Sequence, residues 1–150
     1  MNYSLRMNKK FILTVLAFTF CSMSLLSQGV LGVWKSIDDE TGEPKSLVEI
    51  YEKDGKLFGK IIKLFREADL DQNPLCIECS DERKDQPILG MEIIRDMEQD
   101  GEQWEDGTIC DPKSGKVYDC KLWIDKDDSN ILNVRGYVYF IYRTQHWDRQ

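Results

Sequence analysis

Along residues 28–150, short apolar or alternating segments are separated at regular intervals by clusters of Asp, Gly, Ser, Asn and Pro. Alternation with period two puts successive side chains on opposite faces of a strand, and the intervening residue types supply turn conformations. The pattern predicts strands at 32–36, 46–53, 56–65, 88–97, 103–110, 116–125, 131–139 and 143–148. Four turns are explicit: Asp38-Asp39-Glu40-Thr41-Gly42, Asp54-Gly55, Asp111-Pro112-Lys113-Ser114-Gly115 and Asp127-Asp128-Ser129-Asn130. Asp54-Gly55 is the strongest hairpin signal, because a two-residue turn needs positive φ, which Gly adopts without steric cost.

Eight strands starting about every ten residues predict an all-β domain, an antiparallel up-and-down barrel or a sandwich. The seventh segment favours the barrel. Leu132, Val134, Gly136, Val138 and Phe140 share one face, and Asn133, Arg135, Tyr137 and Tyr139 the other. In the sixth, Tyr118, Cys120, Leu122 and Ile124 oppose Val117, Asp119, Lys121 and Trp123. One apolar and one amphipathic face suit a barrel wall with water outside. No repeat, low-complexity tract or Pro/Gly linker interrupts 28–150, so one domain is expected there. The exception to short connections is 66–87, a long acidic loop with two cysteines. Loops of that length are usually functional or disordered.

The first 27 residues read differently. Arg6, Lys9 and Lys10 precede an apolar run, Phe11 to Phe20, and then Cys21-Ser22-Met23-Ser24-Leu25-Leu26-Ser27. A basic head, an apolar stretch and a small-residue exit describe a secretory signal peptide, with cleavage expected after Ser27. Met7 is an alternative start. The run is short of the ~20 apolar residues that span a bilayer. Lipidation at Cys21 is disfavoured, because Phe18-Thr19-Phe20 is bulky where a lipoprotein signal needs small residues. A periplasmic or secreted location is expected. The leader holds three of the 20 basic residues and none of the 27 acids, which leaves the remainder at −10. That charge repels phosphate backbones, so nucleic acid is not an expected partner.

Cys76, Cys79, Cys110 and Cys120 remain after the leader, an even number that suggests disulfides in an oxidising compartment. Cys110 and Cys120 flank a turn but sit three or four residues out of register. At ~3.4 Å per residue that exceeds ~10 Å, beyond disulfide reach. Cys76 and Cys79 are better placed, to close locally or to tie the loop onto Cys110 or Cys120. Other chemistry is weaker. Nine residues separate the second cysteine pair, against two to four in zinc sites, and no helix follows Cys76-x-x-Cys79 as in redox motifs. Asp69-x-Asp71-x-Asn73 imitates a calcium loop, but Pro74 stands where Gly is required. His146 is the single histidine and lacks a nucleophile signature. No catalytic residue, metal site or cofactor is expected.

Gly32-Val33-Trp34 at the start and Arg143-Thr144-Gln145-x-Trp147-x-Arg149 at the end resemble the pattern of lipocalin-like (calycin) barrels. In those the indole floors the barrel and a last-strand guanidinium packs on it. Together with RKDQPILG at 83–90, GTICDPKSGKVY at 107–118 and Val134-Arg135-Gly136-Tyr137, the chain is similar to an uncharacterised exported bacterial family, domain of unknown function 2147. The resemblance implies a lipocalin-like β-barrel and an envelope location, and no activity. Two departures stand out. Phe140-Ile141-Tyr142 replaces a longer glycine-containing segment, and the Cys76/Cys79 pair looks like a feature of only part of the family.

By alternation Arg143, Gln145, Trp147 and Arg149 share one face of the last strand. Arg149 is expected against Trp34 as a structural pair. Arg143, Gln145, Trp147 and Tyr118 form the candidate ligand-binding set. The leading reading is a non-enzymatic binder of a small amphipathic or anionic ligand inside the barrel. The alternative is a filled barrel serving as a structural or protein-interaction module of the cell envelope, and the third an unrecognised enzyme. Cavity volume discriminates the first two. The exported form should begin at or near Gln28, read by intact mass; a 150-residue chain recovered from the cytoplasm would refute the leader.

Overall fold

In the computed structural model of the protein, which describes residues 29–38 and 41–150, every alternating segment is a strand. They are β1 (Gly32–Ile37), β2 (Pro44–Lys53), β3 (Lys56–Leu64), β4 (Glu92–Asp100), β5 (Gln103–Asp111), β6 (Lys116–Ile124), β7 (Ile131–Val138) and β8 (Ile141–Arg149), with no helix among the described residues. Each pairs antiparallel with the next, and β8 returns to β1 through Trp34↔Arg149 and Lys35↔Asp148. The result is a closed up-and-down barrel without free strand edges. The expected leader, with Cys21, lies outside the described residues.

Turn chemistry explains most of the boundaries. Asp54 and Gly55 have φ of +53° and +78°, the left-handed pair that a tight hairpin needs. The run from Ile88 departs from expectation: Ile88 to Gly90 is a turn, and β4 starts only at Glu92. The Gly90 N–H donates to Ile61 O at 2.7 Å, and Met91 and Ile93 are buried beyond it. Apolar composition signalled burial there, while the backbone path follows the hydrogen bonds to β3. At the far hairpin the turn is Tyr139-Phe140, between the paired Val138 and Ile141, and Tyr139 takes φ of +55° without glycine's freedom.

Facing alternates without a register break along β6, β7 and β8, although the outward Asn133 of β7 is buried too, and it breaks in β4. There Ile93, Ile94 and Met97 are all buried. Two register shifts against β3 and a positive φ at Asp96 re-aim the strand. The strands on either side leave room for it with glycines. A Cβ at Gly59 would meet the Ile94 side chain at 3.1 Å, and one at Gly107 would meet Met97 N at 2.7 Å. The outer wall carries opposite charges on paired residues, as in Glu49 with Lys60 (2.9 Å) and Lys35 with Asp148 (2.9 Å). Exposed pairs of this kind contribute roughly 0–1 kcal/mol each and mainly keep register.

One end of the barrel is solid. Trp34, Leu57, Met97, Leu122, Leu132 and Trp147 pack there with little or no solvent contact. The Trp34 indole N–H donates to Val30 O at 2.8 Å, and the Arg149 guanidinium lies over its ring, 4.1 Å from the centroid. The same guanidinium donates to Leu31 O (3.2 Å), Gly29 O (2.9 Å) and Ser129 O (3.4 Å). One side chain thus ties the approach to β1, the β6–β7 turn and the last strand together. Desolvation lowers its pKa, so the stacking and the carbonyls offset a real penalty. Arg149→Ala should lower unfolding free energy by roughly 1–3 kcal/mol, measured by urea denaturation; a variant as stable as wild type would remove this residue from the barrel's support.

Candidate functional site

In an up-and-down barrel alternate turns share an end. Here the β1–β2, β3–β4, β5–β6 and β7–β8 connections surround the end opposite Trp34 and Arg149. The lumen is open there as a cavity of about 550 Å³. Its wall is apolar in depth, with Ile61, Ile93, Ile109, Val134 and Trp147. The paired hydroxyls of Ser36 and Ser46, 2.7 Å apart, are the polar exception on the β1–β2 side.

Arg143, Gln145 and Trp147 all line the cavity, on β8 opposite Gly136, Val134 and Leu132 of β7. Trp147 is buried at its base and donates its indole N–H to Gln145 Oε1 at 2.9 Å; Gln145 is half-buried, and Arg143 is exposed at the mouth. Tyr118 of β6 lines the same space. Gly136 stands beside it, and a Cβ there would make ordinary contact with Tyr118 Cβ at 3.5 Å. Trp34 and Arg149 sit at the closed end and contribute none of the lining.

Sequence reasoning missed three further cations of the mouth: Lys45, Arg66 and Lys113. Each stands at or just beyond a strand end on the open side, as does Arg143. Asp38 and Asp111 are the acids among them. Lys45 Nζ lies 3.5 Å from Asp111 Oδ1. Burial pushes the Asp111 carboxyl up, but hydrogen bonds from Ser114, the Lys113 N–H and Lys45 outweigh it and hold its pKa below the ordinary value. It is therefore anionic at neutral pH and partly neutralises that side of the rim.

The 66–87 loop is ordered. Leu75 and Pro87 form a bridge, the Cys76 N–H donates to Gln86 O (2.9 Å), and Cys76 is disulfide-bonded to Cys79. The local alternative for these cysteines is the one formed. The loop lies on the β5–β6 turn so closely that a Cβ at Gly115 would strike the Glu78 carbonyl, and Gly115 also takes φ of +68°. Arg83 is buried beneath it and donates through Nε to both carboxylate oxygens of Asp81, at 3.1 and 3.0 Å. Those bonds hold the Asp81 pKa down to about 2. Cys110 and Cys120 are free and buried. Cys120 pairs with Gly107 and Cys110 with Val117, so the two thiols are out of register and on opposite faces of the sheet.

A closed eight-stranded antiparallel barrel, floored at one end and open at the other, defines a lipocalin-like protein. It is similar to HP1028 from the human pathogen Helicobacter pylori, described as belonging to the lipocalin family, with a TM-score of 0.68 and 15% identity. The match covers 83% of this chain and 84% of that one, and at such identity it speaks for the fold alone. More specifically, residues 32–149 match the family described as "Uncharacterized protein conserved in bacteria (DUF2147)", and the chain belongs to it. No curated protein matches the chain.

The buried thiol gives a pH prediction. Burial of Cys120 raises its pKa from 9.0 to about 12. Between those values the unfolded chain releases this proton and the folded chain keeps it, so stability must fall as pH rises from 9 towards 12. Tyr51, raised to about 12 by burial and by its hydrogen bond to Glu92, adds a loss of the same sign above pH 10. Urea midpoints measured across this range should decline, and less steeply in Cys120→Ala; equal slopes would contradict the assignment.

Proposed function

We propose that the protein binds a small amphipathic molecule, with its apolar part in the lumen and an anionic head at the mouth. We place this activity outside the cytoplasm, in a mature domain of residues 28–150. The observation that carries the reading is the 550 Å³ cavity, apolar in depth and bearing Lys45, Arg66, Lys113 and Arg143 around its opening. Cations gathered at this opening in a chain of net charge −7 favour a carboxylate, phosphate or sulfate head. Arg143 suits the role, because a guanidinium fork donates two parallel hydrogen bonds to such groups. The structural-module alternative expects a packed interior, and the open lumen weighs against it.

Magnitudes are consistent with ordinary ligand affinity. Ten methylenes moved from water contribute about 8 kcal/mol gross, and a charge-assisted hydrogen bond ~1.5–3 more. Association costs ~4 kcal/mol or more, which leaves a Kd on the order of tens of micromolar.

Tryptophan fluorescence titration with dodecanoate, dodecanol and dodecylamine tests head and tail separately. Dodecanoate should bind about tenfold tighter than the alcohol, and the amine weakest. Arg143→Gln should erase most of the advantage of the acid while changing stability by no more than ~0.5 kcal/mol. Gly136→Leu, which fills the lumen, should weaken all three. An unsaturable response, or tightest binding of the amine, would end this account.

A further inference from the structure

On the outer wall beside the mouth three sulfurs meet under the 66–87 loop. Cys76 and Cys79 are bonded, and the free thiol of Cys110 on β5 lies with its Sγ 4.0 Å from Cys79 Sγ, both residues buried. Cys79 Sγ therefore has a covalent sulfur partner on one side and a thiol in contact on the other. The contact is held from two directions. Cys110 is fixed in register opposite Val117, and the loop is pressed onto the β5–β6 turn at Gly115, where Glu78 and Cys79 backbone atoms leave no room for a Cβ. Cys120, on the inner face, is outside this group.

Disulfides exchange when a thiolate attacks one of the bonded sulfurs and displaces the other. We propose that Cys76, Cys79 and Cys110 form an exchange site in which the disulfide moves between Cys76–Cys79 and Cys79–Cys110. In the forward step the Cys110 thiol gives its proton to solvent and its sulfur bonds to Cys79 Sγ. The Cys76–Cys79 bond breaks, its electron pair leaves on Cys76 Sγ, and that thiolate takes up a proton. One disulfide and one thiol exist before and after, so neither oxidant nor reductant is consumed. The displaced Cys76 Sγ stays 3.4 Å from Pro112 O in the starting arrangement, a hydrogen-bond acceptor for the thiol it becomes.

The two linkages do different mechanical work. Cys76–Cys79 spans 3 residues within the loop, whereas Cys79–Cys110 spans 31 and staples the loop to the barrel wall. Because the connection between β3 and β4 supplies Arg66, Pro74 and Ile88 to the cavity lining, the exchange selects whether that segment of the mouth is covalently stapled to the wall or held there by packing and hydrogen bonds alone. Burial pushes the Cys110 thiol up and the nearby Arg83 charge opposes that push, so the attacking thiolate is scarce at neutral pH and the step is promoted by base.

Disulfide mapping by mass spectrometry, after acid quenching and thiol alkylation without reductant, decides the matter. In wild-type protein held at pH 7, 8 and 9 a Cys79–Cys110 peptide should appear, forming roughly tenfold faster per pH unit while the thiol is mostly protonated. Cys110→Ser should retain only Cys76–Cys79. Cys76→Ser, incubated in a glutathione redox buffer, should form Cys79–Cys110 and leave Cys120 reduced. Wild-type protein that maps only to Cys76–Cys79 at every pH overturns the proposal, whatever the variants give, and so does a rate that does not respond to pH.

Discussion

Eight strands become a barrel through one seam. The pairing of β8 with β1 rests on two residue pairs, Trp34↔Arg149 and Lys35↔Asp148, and every other strand pair is more extensive. It is the shortest ladder of the barrel, lengthened by one further backbone bond from the Gln150 N–H to Val33 O, and an open seam would expose two strand edges. Side chains supply what the ladder lacks. Arg149 lies over Trp34 and holds the carbonyls of Gly29, Leu31 and Ser129, while Lys35 meets Asp148 outside. A single desolvated guanidinium joins four stretches of chain. The rest of the molecule can then afford to leave its other end unfilled.

That unfilled end follows from where bulk is spent. At the floor Trp34 and Trp147 are buried, and the bulges of β4 bring Ile94 and Met97 into the core as well as Ile93 into the cavity wall. Gly59 and Gly107 flank the strand so that this crowding is tolerated on the closed side. Towards the mouth several inward positions are small or short, among them Ser36, Ser46, Val134 and Gly136. The cavity is the consequence of a large-to-small gradient along the barrel axis, not of a missing element.

Much of this was legible in the residues. Period-two alternation along 116–125, 131–139 and 143–148 grouped the residues that share a face, including Arg143, Gln145 and Trp147, which all line the cavity. Phe140, grouped with Leu132 and Val134, stands exposed in the turn instead. Register arithmetic separated Cys110 from Cys120. What escaped depends on information that neighbours in sequence do not carry. The bulges of β4 are set by glycines on two other strands. The mouth cations Lys45 and Arg66 stand at the start of β2 and just after β3, and only the rule that alternate turns share an end brings them together, once the strand order is known. Tyr139-Phe140 carries none of the usual turn residues, so its tight hairpin showed only as a run of apolar side chains.

That hairpin exposes an unusual surface. Tyr139 and Phe140 are 94% and 89% exposed, and Ile141 and Tyr142 more than half. An apolar tip on a backbone strained at Tyr139 persists only if the hairpin below it is rigid. Contacts on the outer wall brace it, where Arg135 stacks on Tyr142 (4.3 Å) and Trp123 (4.8 Å) and donates to Thr144 Oγ1 at 2.7 Å. Inside, Val138 and Ile141 carry the apolar surface from the tip into the cavity lining without a break. The two faces of the hairpin therefore divide the work. Polar stacking outside fixes its position, and a continuous apolar path inside joins bulk solvent to the lumen at the point where Arg143 stands.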